Sequence, residues 1–99
     1  MMLLRREFNL DLKYEELDEF FNEIKSSLAN ENIPKDHIVS VYKDQVVCCG
    51  IFPMGVAIEI EGSEDKLLKE LDMMMYSKVL ELCEQKNIEY HESQPLEVL

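Results

Sequence analysis

Residues 37 to 61 have the sequence HIVSVYKDQVVCCGIFPMGVAIEIE, and this stretch decides the fold class. Residues 38–42 are typical of a strand, residues 46–52 form a second apolar run, and residues 56–61 alternate apolar side chains with Ala or Glu. Two interpretations are open. The stretch is either a meander of three strands or one long hairpin whose tip lies at residues 50–55.

Helical patterns flank this stretch on both sides. Before it, residues 2–12 alternate as a half-buried strand does, and residues 14–28 then place apolar side chains every three or four positions. After it, Ser63 suits a helix N-cap, a helical stripe runs over residues 67–86, and Asn87 suits a C-cap. We therefore expect two amphipathic helices.

The order of these patterns predicts an α+β fold. Residues 88–91 suggest a short last strand, and residues 93–99, which contain Pro95, predict either an edge strand or a loose tail. The order is β-α-β-β-(β)-α-β, with two helices on one face of a mostly antiparallel sheet. If two of the middle strands are parts of a single strand, the order becomes βαββαβ, the ferredoxin-like plan. We expect one domain over residues 1–99.

Composition limits the classes of partner. The chain has 10 basic and 21 acidic side chains, a net charge of −11, so it repels phosphate groups. We expect no direct binding of nucleic acid or of a membrane, and no apolar run approaches the roughly 20 residues of a membrane-spanning helix. The N-terminal residues do not resemble a signal peptide, and three cysteines are too few for a disulfide scaffold. These features predict a cytoplasmic protein without disulfides.

The cysteines and histidines lack the spacing of a catalytic or metal site. Zinc ligands usually come in pairs two to four residues apart, whereas Cys48 and Cys49 are neighbours that point to opposite faces of a strand. Cys83, His37 and His91 lie far from them in sequence. We therefore expect no metal, no cofactor and no catalytic residue, and we rank a cysteine-dependent enzyme last among the hypotheses.

The acidic side chains are concentrated on the predicted helices. Two basic and seven acidic residues in 14–36 give a net charge of −5, two and six in 59–72 give −4, and residues 37–58 are neutral. If both helices cover one face of the sheet, their outer surfaces form one continuous acidic wall. The predicted members of this wall are Glu15, Glu16, Asp18, Glu19, Glu23, Glu64, Asp65, Glu70 and Asp72.

A second candidate surface is the uncharged stretch around residues 46–56. Its functional interpretation is an apolar edge or tip, with Ile51, Phe52 and Met54 contacting a partner or a second copy of the chain. The alternative is an ordinary central strand followed by a tight turn, which the pattern favours.

Two functional hypotheses follow. The first is a small, acidic, non-enzymatic interaction protein that binds and inhibits a basic protein, such as one that handles nucleic acid. Immunity proteins and phage counter-defence proteins work in this way, an analogy of size and charge alone. The alternative is a dimeric ferredoxin-like module with a regulatory or ligand-binding role.

Overall fold

The structure is a computed structural model that describes residues 2–43, 52, 54–92 and 96–98, the last three by their backbone. It contains two helices and one sheet. The elements are β1 (Met2–Leu10), α1 (Tyr14–Ala29), β2 (Ile38–Tyr42), β3 (Met54–Gly62), α2 (Asp65–Lys86), β4 (Tyr90–Glu92) and β5 (Leu96–Val98).

The sheet is antiparallel and has the strand order β2-β3-β1-β4. β1 pairs with β3 over its whole length, from Met2 opposite Gly62 to Leu10 opposite Met54. β4 and β5 both pair with β1, at residues 8–10 and 3–5 respectively, so they occupy the edge of β1 that β3 leaves open. Apart from this two-part edge strand, the topology is βαββαβ. The predicted α+β class and its ferredoxin-like order are confirmed.

The middle of the chain forms a hairpin and not a meander. Ile38 lies opposite Glu61 and Tyr42 lies opposite Ala57, so β2 pairs directly with β3. Because β3 has β2 on one side and β1 on the other, no further strand can lie between them. Residues 44–51 and 53, which include most of the predicted second run and the hairpin tip, lie outside the described residues.

The core lies between the sheet and the two helices. Alternate residues of β1 and β3 face the helices because side chains alternate across a strand, and residues three or four apart on each helix face the sheet. Each large apolar side chain buried here contributes roughly 1.5–3 kcal/mol. The fully buried members include Phe8, Leu10, Val56, Ile58, Ile60, Phe20, Ile24, Leu68, Met75, Val79 and Cys83.

Local sequence explains the helix ends. α1 begins after Lys13, whose backbone N–H donates to the Glu16 carboxylate at 2.9 Å. α2 has Glu64 and not the predicted Ser63 at its N-cap. The predicted C-cap is confirmed, because Asn87 adopts a left-handed conformation with φ 54°. Within the described residues, neither helix is long and apolar enough to cross a membrane.

The C-terminal residues extend the sheet. Residues 96–98 pair with β1, so over this range the tail is an edge strand and not a loose end. The pairing exists because β4 is only three residues long and leaves the N-terminal half of that β1 edge available. Residues 93–95 and 99 lie outside the described residues.

The connection between α1 and β2 packs tightly against the end of β3. His37 is 8% exposed, and its Nδ1 lies 2.9 Å from the carbonyl oxygen of Lys35. A Cβ atom added to Gly62 would lie 2.2 Å from Cδ2 of His37. The imidazole ring therefore occupies the space that a side chain at residue 62 would need.

We predict that Gly62→Ala lowers the free energy of unfolding by about 1–3 kcal/mol, because the new methyl group overlaps the His37 ring. Urea denaturation of Gly62→Ala, of His37→Ala and of the double variant measures the effect. The double variant should lose less stability than the two single variants together, since removing the ring makes room. A Gly62→Ala variant as stable as the wild type would contradict this packing.

Candidate functional site

The two helices run in opposite directions across the sheet. Near the C-terminal end of α1, Lys78 donates to Ser27 at 2.8 Å and pairs with Glu31 at 2.8 Å. At the other end, Lys86 pairs with Glu19 and Glu23 at 3.5 and 3.2 Å. The C-terminal end of α2 therefore lies beside the N-terminal half of α1.

This antiparallel arrangement divides the predicted acidic wall. Asp65 precedes Lys86 by 21 residues, which is about 31 Å along a helix axis. Glu64 and Asp65 consequently lie at the opposite end of the molecule from the carboxylates near Lys86. The prediction of one continuous wall is wrong, because it assumed that the helices share both a face and an end.

One half of the predicted wall forms a compact surface on α1. We call Glu15, Glu16, Asp18, Glu19 and Glu23 the α1 acidic surface, and all five are exposed. They lie within the nine residues 15–23, which rise about 12 Å along the helix. Their carboxylates lie close enough together for one partner to contact them at once.

Two lysines border the α1 acidic surface. Lys43 donates to Asp18, and this hydrogen bond raises the pKa of Lys43. Lys86 pairs with Glu23 and Glu19, and the hydrogen bond to Glu23 is the main cause of its raised pKa. Pairs between exposed charges contribute little to stability because solvent screens them, so a partner can displace them at low cost. Lys13 and Lys25 lie on the same stretch of chain, so residues 13–25 carry five carboxylates and two lysines, a net charge of −3.

The other exposed members of the predicted wall lie on the first turns of α2. Glu64, Asp65 and Glu70 are exposed, and Asp65 pairs with Lys69 at 2.9 Å. Lys66 lies on the same turns. By the same count, residues 64–70 carry three carboxylates and two lysines, a net charge of −1. The α1 acidic surface therefore carries the stronger local charge.

Asp72 does not belong to the exposed surface, contrary to the sequence prediction. It is 5% exposed, and its two oxygens accept hydrogen bonds from Nε and Nη2 of Arg6 at 3.0 and 2.7 Å. Asp72 lies on the same helical stripe as Leu68 and Met75, four residues before it and three after it, so it faces the sheet. The sequence contained one indication of this contact, because Arg6 is the one charged residue on the apolar side of β1.

Arg6 and Asp72 belong to a larger polar network between α2 and the sheet. The Arg6 guanidinium lies 4.4 Å from the ring centre of Tyr76. The Tyr76 hydroxyl donates to Glu92 on β4 at 2.7 Å, and this bond, together with burial, raises the pKa of Tyr76 to about 12. The second Glu92 oxygen is buried, 4.0 Å from Nη1 of Arg6. The network joins α2 to β1 and β4, which is a structural role.

The predicted apolar contact residues are only partly exposed. Asn9, which is 1% exposed, accepts a hydrogen bond from the Phe52 N–H at 2.7 Å and donates to the carbonyl oxygens of Phe52 and Met54 at 2.6 and 3.0 Å. The Phe52 ring lies 5.7 Å from the His91 ring, and Met54 packs against the core. Ile51 lies outside the described residues.

Sequence reasoning missed two exposed apolar residues on β2. Ile38 is 58% exposed and Tyr42 is 40% exposed, and both point to the sheet face that the helices leave open. The sequence contained a signal for them, since residues 38–42 have no charged side chain. The pattern predicted a strand here but not its position at the edge of the sheet.

The open face of the sheet is also partly charged. Arg5 donates to Glu7 at 3.1 Å and to Glu59 at 2.7 Å. Burial lowers the pKa of Arg5, but the hydrogen bonds to Glu59 and Glu7 outweigh this effect and raise it overall. One guanidinium against two carboxylates leaves this part of the open face with a net charge of −1.

The candidate cysteine chemistry gains no support from Cys83. This thiol is 1% exposed, and burial raises its pKa to about 11, which disfavours the reactive thiolate. Cys48 and Cys49 lie outside the described residues. Over residues 2–43, 52 and 54–92, no group of three His, Cys, Asp or Glu side chains suits a metal ion.

The comparisons with known proteins do not assign the chain to a family. No model of a known protein family matches it, and no curated protein matches it either. The distribution of charge and exposed apolar side chains is therefore the basis for a functional proposal.

We predict that Asp72→Asn lowers the free energy of unfolding by about 1.5–3 kcal/mol, because it removes the charge of the bidentate partner and leaves only Glu92, 4.0 Å away, to balance the buried Arg6 guanidinium. Glu70→Gln on the exposed side of the same helix is the matched control, with an expected change within about 0.5 kcal/mol. Arg6→Met/Asp72→Leu should recover most of the loss. Equal urea midpoints for the Asp72 and Glu70 variants would contradict a buried pair.

We also predict a component of alkaline unfolding that depends on Tyr76. Because its pKa is raised from 10.0 to about 12, Tyr76 holds its proton more tightly in the folded chain. Its contribution to stability is therefore complete below pH 10 and is lost as the pH rises towards 12. Tyr76→Phe should be less stable than the wild type at neutral pH but should lose less stability across this window.

Urea denaturation between neutral pH and pH 12 measures this component. Tyr14→Phe is the control, since Tyr14 is 72% exposed. If Tyr76→Phe and the wild type lost the same stability above pH 10, the hydrogen bond to Glu92 would not be the source of the effect.

Proposed function

We propose that the protein is a small, acidic, non-enzymatic binding protein that docks the α1 acidic surface on a basic surface of another protein. The observation that carries the proposal is the cluster of five exposed carboxylates along one half of α1, with two displaceable lysines beside it. These carboxylates are held on a rigid helix, so binding would order little of the chain.

Electrostatics make this mode of binding efficient. A net charge of −11 attracts a basic partner over long range, and a compact acidic surface then fixes its orientation. A partner that binds nucleic acid is a suitable target, because its basic groove already accepts phosphate groups. Occupation of that groove by the α1 acidic surface would inhibit such a partner by competition.

We further propose that the protein acts in a reducing compartment, the cytoplasm. Support comes from Cys83, which is a free thiol in the core, and from the low number of cysteines in the chain. The inhibitory role and the compartment both extend beyond the fold and rest on charge and composition.

Affinity capture from the native cell, followed by mass spectrometry, tests the proposal. The immobilised chain is exposed to the cell lysate at about 50 mM and at about 300 mM salt, since screening weakens contacts between exposed charges. We expect a basic protein that is retained at low salt and released at high salt. Recovery of acidic partners alone, or capture that does not depend on salt, would contradict the proposal.

A pair of charge-matched variants then locates the surface. Glu15→Gln/Glu19→Gln/Glu23→Gln changes the α1 acidic surface, and Glu64→Gln/Asp65→Asn/Glu70→Gln changes α2 by the same three charges. Calorimetry with the captured partner should show at least about tenfold weaker binding for the α1 variant, or about 1.4 kcal/mol. The α2 variant should change binding much less. Equal losses would assign binding to net charge and not to this surface.

A further inference from the structure

Over the part of the chain that the structure describes, β2 lies at the edge of the sheet. It is the terminal strand in the order β2-β3-β1-β4, and among the described residues it pairs with β3 alone. An edge strand of this kind presents backbone N–H and C=O groups that can pair with another strand.

The side chains of β2 do not protect this edge. Proteins usually protect an edge strand with charged residues, proline or a bulge, and the sequence IVSVY contains no charge and no proline. Ile38, Ser40 and Tyr42 share the open face of the sheet, and the two apolar members are 58% and 40% exposed. In a chain with net charge −11, this exposed apolar edge is suited to contact another surface.

We propose that β2 pairs antiparallel with β2 of a second copy, about a twofold axis at Ser40. In this register Ile38 of each copy lies opposite Tyr42 of the other, which is a favourable β-branched and aromatic pair. Val39 lies opposite Val41 on the helix-covered face. The sheets of the two copies then form one continuous sheet across the dimer.

The pattern of β2 selects a second copy as the occupant. The sequence is symmetric in character about Ser40, with valine on each side and a large apolar residue at each end, so the strand is complementary to itself. A basic partner would find no carboxylate on β2, which separates this contact from the α1 acidic surface. The inference is therefore independent of the proposed function.

Charge also permits the second copy to approach along this edge. The groove between α1 and β2 is lined by Lys25, Leu28 and Ala29 of α1 together with Val39, Ser40 and Val41, and none of these is acidic. On the open face, Glu59 and Glu61 lie opposite Ser40 and Ile38, but they belong to β3, one strand behind the edge. In the dimer, both β2 strands therefore lie between the β3 carboxylates of the two copies. A five-residue edge buries a small area, so the dimer should be weak and should depend on concentration.

Sedimentation equilibrium from about 1 µM to about 1 mM tests the dimer. We expect the wild type to shift from monomer to dimer within this range. Ile38→Lys and Tyr42→Lys should each raise the dissociation constant at least about tenfold. Met73→Lys is the control, because Met73 is 53% exposed on α2 and the variant has the same net charge. A wild type that stays monomeric, or equal effects of all three variants, would overturn the proposal.

Cysteine cross-linking tests the register. Under mild oxidation, Ser40→Cys chains should link to one another, and Ile38→Cys chains should link to Tyr42→Cys chains when the two are mixed. Ile38→Cys alone should link no more than the wild type, which sets the background from the native cysteines. Peptide mapping identifies the linked residues, and equal linking of Ile38→Cys to itself would exclude the axis at Ser40.

Discussion

Nine residues of β1 pair with nine residues of β3, and this ladder places the other elements of the fold. β3 pairs on its outer edge with β2, and β1 pairs on its outer edge with β4 and β5. The side chains that alternate towards one face of the ladder supply the sheet half of the core. A shift of one residue in its register would turn those side chains to the open face and expose them.

The contact between Arg6 and Asp72 positions α2 on this ladder. A bidentate pair has strict geometry, so it favours one position of α2 along β1 where apolar contacts alone would accept several. Replacing such a pair with apolar residues often preserves stability, whereas removing one partner does not. We infer that the pair contributes chiefly to the alignment of α2, with Tyr76 and Glu92 extending this alignment to β4.

Local patterns predicted most of the elements, and tertiary pairing decided the rest. The periods of two and of three to four identified β1, β3 and both helices, and Asn87 indicated the end of α2. The sequence did not show whether residues 37–61 contain two strands or three. The run at residues 46–52 is as apolar as a central strand, whether or not it forms one. Asp72 was assigned to the surface because its partner, Arg6, lies 66 residues away in sequence.

The surfaces show the same limit of prediction. Local charge correctly indicated exposed carboxylates on α1, but the direction of α2 relative to α1, which divides the acidic wall, follows from the topology of the sheet. The edge position of β2 has the same origin, so the exposure of Ile38 and Tyr42 could not be inferred from the strand pattern. The folded chain thus has an acidic surface on α1 and an uncharged edge at β2, and the two adjoin at Lys43, which follows Tyr42 and pairs with Asp18.

This separation of two surfaces is tested most directly by backbone amide NMR of the wild-type chain. Spectra are recorded at increasing chain concentration and then with a basic partner captured from the cell. We expect concentration to shift the amides of residues 38–41 and the partner to shift those of residues 15–23, in two sets that do not overlap. Residues 42 and 43 are left out of the comparison because Lys43 contacts Asp18. A partner that shifts the amides of residues 38–41, or a single set of residues that responds to both, would contradict the separation.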